Sequence, residues 1–337
     1  MTQDAGDIEN FETVSFHCRS PIHLCPTCSH AEKCQDLLNI LRIFKLKEKE
    51  KPFDFMTNFP FLEQRTFKVD SRNKMNELSS AEWLQFSRTV FSPKLPKMLG
   101  HELRRAHPEC KSPHVMGQLI SFFTKRDDLV IDPFAGTGAT LIAAALLGRD
   151  AVGFETSPRW VDLYYQACKQ HTIPRRKMVE GDCSVLLHNV SKESVDFAII
   201  DPPNPMNPSE WAPGAESSPG VNLDSFFDFM LRVMNQCYRT LKDQKYMAVF
   251  SRNLYYKGRY IYITPFYASV ASEAGFTLKG EKIWENLGEK LRPYGYPHTY
   301  IPNIVHYSIL IFRKTESAEE VVEEKKIKAP RGEADKS

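Results

Sequence analysis

The stretch LVIDPFAGTGAT, Leu129 to Thr140, constrains this chain more than any other, because a short apolar run enters a glycine turn and passes at once into a helix-forming segment. Gly136 and Gly138 lack a Cβ, so the backbone can turn sharply there and approach a ligand closely. The helix predicted over Thr140 to Leu147 would aim its unpaired amides back at that turn, which is the arrangement of a cofactor pocket. Further along, SVDFAIIDPPNP repeats the logic: an apolar strand ends in Asp201, and Pro202 and Pro203 follow.

From residue 113 onward, predicted helices alternate with short apolar strands, the signature of a parallel sheet covered on both faces. LVIDPF, DAVGFE, KMVEGD, DFAIID and YMAVFS read as five successive strands of a doubly wound α/β sheet. Dinucleotide enzymes place an acid about 20 residues beyond the glycine turn, where it accepts hydrogen bonds from ribose hydroxyls. Glu155, at the end of the second strand, fits that place, and a surface acid is the plainer alternative. Upstream, SSAEWLQFSRTVF reads as a helix with Ser80 as N-cap and Glu82 in its first turn.

The 337 residues can hold one large domain with additions or two modest ones, and 42% hydrophobic with 26% charged residues is ordinary for a soluble globular protein. A net charge of +2 neither favours nor excludes nucleic acid, but residues 42–105 carry fourteen Lys or Arg against eight Asp or Glu, a basic lobe suited to phosphate. The first fifteen residues are polar and acidic, and no apolar run approaches the roughly 20 residues of a membrane helix, so a cytoplasmic protein with no membrane partner is expected. Cys18, Cys25, Cys28 and Cys34 are crowded together with spacing C-x6-C-x2-C-x5-C. Four thiolates suit a tetrahedral structural zinc, an iron–sulfur cluster accepts the same ligands, and incidental free thiols are the plain alternative. Beyond Lys314 the chain is densely charged and poor in apolar residues, so it is expected to be disordered.

Taken together, DPFAGTGAT and IIDPPNP resemble the two signature motifs of the DNA amino-methyltransferases, which use S-adenosylmethionine to methylate the exocyclic amine of adenine or cytosine. The first motif matches that family's D-P-F-x-G-x-G-T block except for Ala139 before Thr140; in the second, Asn204 stands where the family has an aromatic residue. HPECKSPHVMGQLISFF is similar to the family's His-Pro helix, which completes the methionine pocket, and YIPNIVHYSILIFRK to its last strand pair. The resemblance covers roughly residues 101–314. It implies a mostly parallel, seven-stranded methyltransferase sheet ending in an antiparallel pair, FTLKGEKIWE and HYSILIFRK. The organisation expected is an acidic lead (1–16), a Cys-rich basic amino-terminal lobe (17–100), a methyltransferase domain (101–314) and a charged tail (315–337).

The resemblance also implies roles. Asp132, Phe134, Gly136, Gly138, Thr140, Glu155, Asp182 and Cys183 would bind S-adenosylmethionine, and Asp201, Pro202, Pro203 and Asn204 would form the catalytic loop. The Asp201 carboxylate and the Pro202 carbonyl would take the two N–H bonds of the target amine, turning its lone pair toward the methyl group and stabilising the charge that develops. Asp at the head of this motif points to adenine N6, with cytosine N4 as the alternative. Asn204 cannot stack on an extruded base, so Trp211, Phe250 or a tyrosine of 255–262 would supply the missing face. DNA contacts are expected from MNPSEWAPGAESSPGVN, from SRNLYYKGRYIYITPFY, or from the basic amino-terminal region. An RNA guanine-N2 methyltransferase and a catalytically silent protein that binds cofactor and nucleic acid are the rival readings.

Overall fold

Val195–Ile200 is buried along its whole length, as an apolar strand with neighbours on both sides and helices on both faces must be. The computed structural model describes residues 69–93, 100–207 and 223–315, all within one unit that begins at Phe67. In chain order these form α1 (Ser80–Phe86), β1 (Val90–Phe91), α2 (His101–Arg104), α3 (Pro113–Phe123), β2 (Leu129–Asp132), α4 (Ala139–Leu146), β3 (Asp150–Glu155), α5 (Pro158–Gln170), β4 (Lys177–Glu180), α6 (Cys183–Leu186) and β5 (Val195–Ile200). Then follow α7 (Leu223–Thr240), β6 (Leu241–Ser251), β7 (Leu254–Tyr256), β8 (Arg259–Ile261), α8 (Thr264–Glu273), β9 (Phe276–Glu285) and β10 (His306–Lys314).

The main sheet runs β1-β9-β10-β6-β5-β2-β3-β4. Strands β2 to β6 are mutually parallel, and β10 is antiparallel to both β6 and β9, so the antiparallel pair falls where the resemblance implies. This is a methyltransferase-like α/β fold with a mostly parallel central sheet. It has eight strands where seven are expected. The additional one is β1, two residues paired in parallel with Ile283 and Trp284 of β9. A two-residue edge has no pattern that a sequence reading can detect.

Side chains alternate across β5, and the two faces are covered by different helices. Ala198 and Ile200 join the core that α7 and α8 close, with Phe226, Met230, Val233 and Met234 spaced along one stripe of α7. On the other face, Phe123 of α3 stacks on Phe197 at 4.9 Å. Residues 69–93 belong to the same packing: Phe86 stacks on Phe122 at 3.8 Å, and Glu77 pairs with Arg149 at 3.0 Å. The α1 N-cap is Ser79, one residue before the expected Ser80, because Ser79 and Glu82 close a reciprocal capping box. The cysteine cluster, the acidic lead, the tail from residue 316 and Trp211 lie outside the described residues. Among the described residues, no helix is long and apolar enough to cross a membrane.

Candidate active site

In an open parallel sheet, ligands bind where the carboxyl ends of the strands face a break in strand order. Here that edge carries Asp132 at the end of β2, Glu155 at the end of β3, Asp182 after β4, Asp201 after β5 and Arg252 after β6. They border one cleft of about 990 Å³, which also receives Phe134, Gly136, Thr140, Cys183, Pro202, Pro203 and Asn204. Of the residues expected to bind cofactor or act in catalysis, the structure thus brings all but Gly138 to a single cavity.

Gly138 works from behind the cleft. It is the N-cap of α4 with φ +77°, and a Cβ there would stand 2.2 Å from the ring of Tyr164. Tyr164 is pinned by both backbone groups of Arg176, whose carbonyl accepts from its hydroxyl at 3.0 Å and whose amide donates to it at 2.8 Å. Gly136 does face the cleft: a Cβ on it would lie 3.6 Å from the His107 ring, filling the slot between the turn and that ring. The turn is braced by Glu155, whose Oε2 accepts from the Gly136 amide at 3.0 Å and whose Oε1 accepts from the Ser157 amide at 2.8 Å. Burial raises the Glu155 carboxyl above its ordinary value against the pull of these amides. Burial likewise pushes Asp132 up to about 7, although the Phe134 amide donates to it at 3.0 Å. Asp182 caps α6 by accepting from the Ser184 amide at 2.8 Å, and the Cys183 thiol beside it is buried and held protonated.

His107 opens the segment expected to be a His-Pro helix. The helix begins only at Pro113, and His107 to Ser112 form the loop that carries polar groups into the cleft. The His107 ring meets the edge of Trp160 at 4.8 Å, and burial together with the nearby Lys111 charge lowers it to about 4, so it is neutral at physiological pH.

The residue that sequence reasoning missed is Lys111. Its side chain is only 7% exposed, and its Nζ lies 3.1 Å from Asp201 Oδ2 and 3.3 Å from Glu109 Oε2, over the Tyr307 ring at 4.5 Å. Burial alone would depress the ammonium; Asp201, Tyr307 and Glu109 outweigh it and hold Lys111 above its usual range. Asp201 is raised by burial and pulled back by Lys111. Behind this pair, the Tyr307 hydroxyl donates to Glu109 at 3.1 Å and accepts from Arg252 at 3.3 Å, and Arg252 pairs with Glu289 at 3.0 Å. Arg104, almost fully buried, ties the two loops together by donating to the Thr137 carbonyl at 3.0 Å and the Lys111 carbonyl at 2.8 Å. Lys111 sits inside a segment already singled out for its resemblance. Nothing in its spacing distinguishes a lysine that will be buried on a carboxylate from one on a solvated helix start.

Asn204 does not enter the cleft as a stacking face. Its Oδ1 accepts from the Met206 amide at 2.9 Å, closing the turn that follows the two prolines. Phe250 and Tyr255 line the cleft, as two of the expected substitute rings, and Tyr294 joins them unforeseen. Among the described residues, no group of three or more His, Cys, Asp or Glu could hold a metal ion.

A sequence profile of the N6/N4 DNA methylases matches residues 32–166 and 195–337, and the chain belongs to this DNA methylase family. It is similar to the type II methyltransferase M.MthZI of Methanothermobacter thermautotrophicus, 31% identical over 105 residues that make up 29% of each chain. It is also similar to the tRNA (guanine(10)-N2)-dimethyltransferase of Methanocaldococcus jannaschii, 28% identical over 109 residues, 31% of each. Among solved structures it resembles TrmN from Thermus thermophilus, with a TM-score of 0.41 and 14% identity over 60% of this chain and 48% of that one. The chain spans under a third of the length of these two curated relatives.

Proposed function

We propose that this chain transfers a methyl group from S-adenosylmethionine to the exocyclic amine of a DNA base, adenine N6 in the first instance, with cytosine N4 as the alternative. The observation that carries the reading is the Lys111–Asp201 pair, set at the mouth of the β5 strand in the same cleft as the Glu155-braced glycine turn. The residues present fit the cofactor. Gly136 leaves a slot that a Cβ would fill, Glu155 and Asp182 offer carboxylates at the strand ends, and Phe134 gives an apolar wall. Thr140, at the start of α4, and Cys183 complete the lining, and Asp132 sits beneath the turn.

When bound, the cofactor supplies a sulfonium methyl group open to displacement by a nitrogen lone pair. Asp201 accepts one N–H of the target amine and the Pro202 carbonyl the other, and neither Pro202 nor Pro203 has an amide to compete. Lys111 opposes the effect of burial on Asp201 and so favours its ionised form, which is the acceptor. Lys111, Asp201 and Glu109 together carry net negative charge, which favours the positive charge that grows on the amine. In place of the aromatic residue absent at 204, Tyr255 or Tyr294, both exposed and both on the cleft, faces the extruded base. Cys18, Cys25, Cys28 and Cys34 are read, from their spacing, as a structural zinc site, with an iron–sulfur cluster as the alternative, in the part of the expected amino-terminal lobe that precedes Phe67.

The similarity to a tRNA guanine methyltransferase favours RNA as the second reading. Incubating the protein with methyl-labelled cofactor and, separately, genomic DNA and total tRNA decides between them. Label in methylated adenine or cytosine of DNA is the expected result; label confined to guanine of tRNA would replace it.

A further inference from the structure

The segment between β9 and β10, Asn286 to Val305, exposes large side chains to an extent that needs a reason. Leu291 is 73% exposed, Tyr296 82% and Tyr300 86%, and Tyr294 is half exposed at the edge of the cleft. Single exposed apolar residues are ordinary, but several on one loop mark a binding surface. The loop is also built to hold its shape. Arg292 and Asn303 bracket it, with the Arg292 amide donating to Asn303 Oδ1 and the Asn303 side chain donating back to the Arg292 carbonyl, both at 2.9 Å. Inside this bracket the amides of His298 and Thr299 both donate to the Gly295 carbonyl at 2.8 Å. At its base, Arg252 binds the Ile304 carbonyl at 2.9 Å and Glu289 at 3.0 Å, which joins the loop to the polar network around Asp201.

The charge on this surface has one sign. Lys290 and Arg292 are exposed on the loop, Lys257 and Arg259 on the β7–β8 hairpin, which also borders the cleft through Tyr255. Glu289 is the one acid between Asn286 and Val305, and it is paired with Arg252. Tyrosines interleaved with exposed cations on a pre-formed loop fit a nucleic-acid strand, with rings on base faces and cations on phosphates.

We infer that the loop from Leu287 to Tyr300 is a DNA-contacting element that grips the strand beside the target base, its rings stacking on bases next to the one taken into the cleft. This rests on the DNA reading above, and it adds an element to the three that the sequence nominates. The test is DNA binding by the full chain, measured by fluorescence anisotropy on a labelled duplex carrying a mismatched adenine, with cofactor affinity measured in parallel. Tyr296→Ala/Tyr300→Ala should weaken DNA binding by about tenfold or more, since each stacked ring contributes on that scale. Tyr296→Phe/Tyr300→Phe should restore most of the binding, because the ring and not the hydroxyl makes the contact. The salt dependence should stay as in wild type for the alanine variant and become shallower for Lys290→Ala/Arg292→Ala. Cofactor affinity should be unchanged in both tyrosine variants, since neither Tyr296 nor Tyr300 lines the cleft. Equal DNA affinity of wild type and the alanine variant overturns the loop assignment alone. A wild-type chain that binds no DNA but binds RNA overturns the DNA reading, and this inference with it.

Discussion

Replacing Lys111 by Met keeps the length of a buried side chain and removes its charge, and the consequence follows from the distance to Asp201. Two unit charges 3.1 Å apart interact by about 5 kcal/mol at an effective dielectric of about 20, equivalent to ~4 pKa units. The Asp201 side chain is a fifth exposed, and the effect of one opposite charge on a carboxylate is commonly about 1 to 3 units, so an upward change of about 2 units is expected. Glu109 adds to it, because its carboxylate faces Asp201 with no ammonium between them once Lys111 is gone. Of the other groups around the pair, His107 and Tyr307 also lose the downward pull of the Lys111 charge and move up in the variant, whereas Tyr267 and Arg252 are set by burial and by other neighbours. A protonated Asp201 can no longer accept from the amine, so the acid limb of the kcat/KM profile should move to higher pH, with turnover below it falling about tenfold per pKa unit. Lys111→Arg should return the limb toward its wild-type position. The assay is methyl transfer at saturating cofactor across the pH range, with cofactor affinity followed by calorimetry. Profiles of Lys111→Met and wild type that differ in height but not in position would refute the argument, because a merely structural lysine would lower turnover at every pH alike.

Three further outcomes are expected. Glu155→Ala should weaken S-adenosylmethionine binding by about 1.5 to 3 kcal/mol while the chain still folds, and unchanged affinity by calorimetry would reduce Glu155 to a brace for the glycine turn. Gly138→Ala forces a Cβ to within 2.2 Å of the Tyr164 ring at a positive φ, so it should lower stability by about 1 to 3 kcal/mol; a melting temperature equal to wild type would contradict the packing described. Elemental analysis of protein expressed with metal available should find zinc near one equivalent, lost on replacing Cys25 and Cys28 by Ser; neither zinc nor iron in the purified protein would remove the metal reading.

Much of the fold was legible because its strands are short apolar runs that end in chemistry-bearing residues. DAVGFE matches its strand to the residue and DFAIID lies one residue late on Val195–Ile200, because each is a short, largely apolar run between polar segments. The glycine turn was legible for the same kind of local reason, although the packing of Gly138 against Tyr164 was not. What escaped were partnerships between distant residues. Lys111 meets Asp201 across ninety positions, and Arg104 ties the Thr137 and Lys111 carbonyls; no local pattern encodes either. β1 is too short to carry a period, and the residue that caps α1 was missed by one because Ser79 and Ser80 are chemically alike. The loop after β9 has no helix or strand period, and its exposure together with its internal bracing marks it out.

The central claim is that Asp201 holds the amine of a DNA base for methylation. It is tested most directly by digesting genomic DNA from cells that express the wild-type chain or Asp201→Ala and quantifying methylated nucleosides by mass spectrometry. The account predicts N6-methyladenine or N4-methylcytosine with the wild-type chain and none above background with the variant, whose cofactor affinity stays close to wild type. Equal methylation by the two proteins would contradict it.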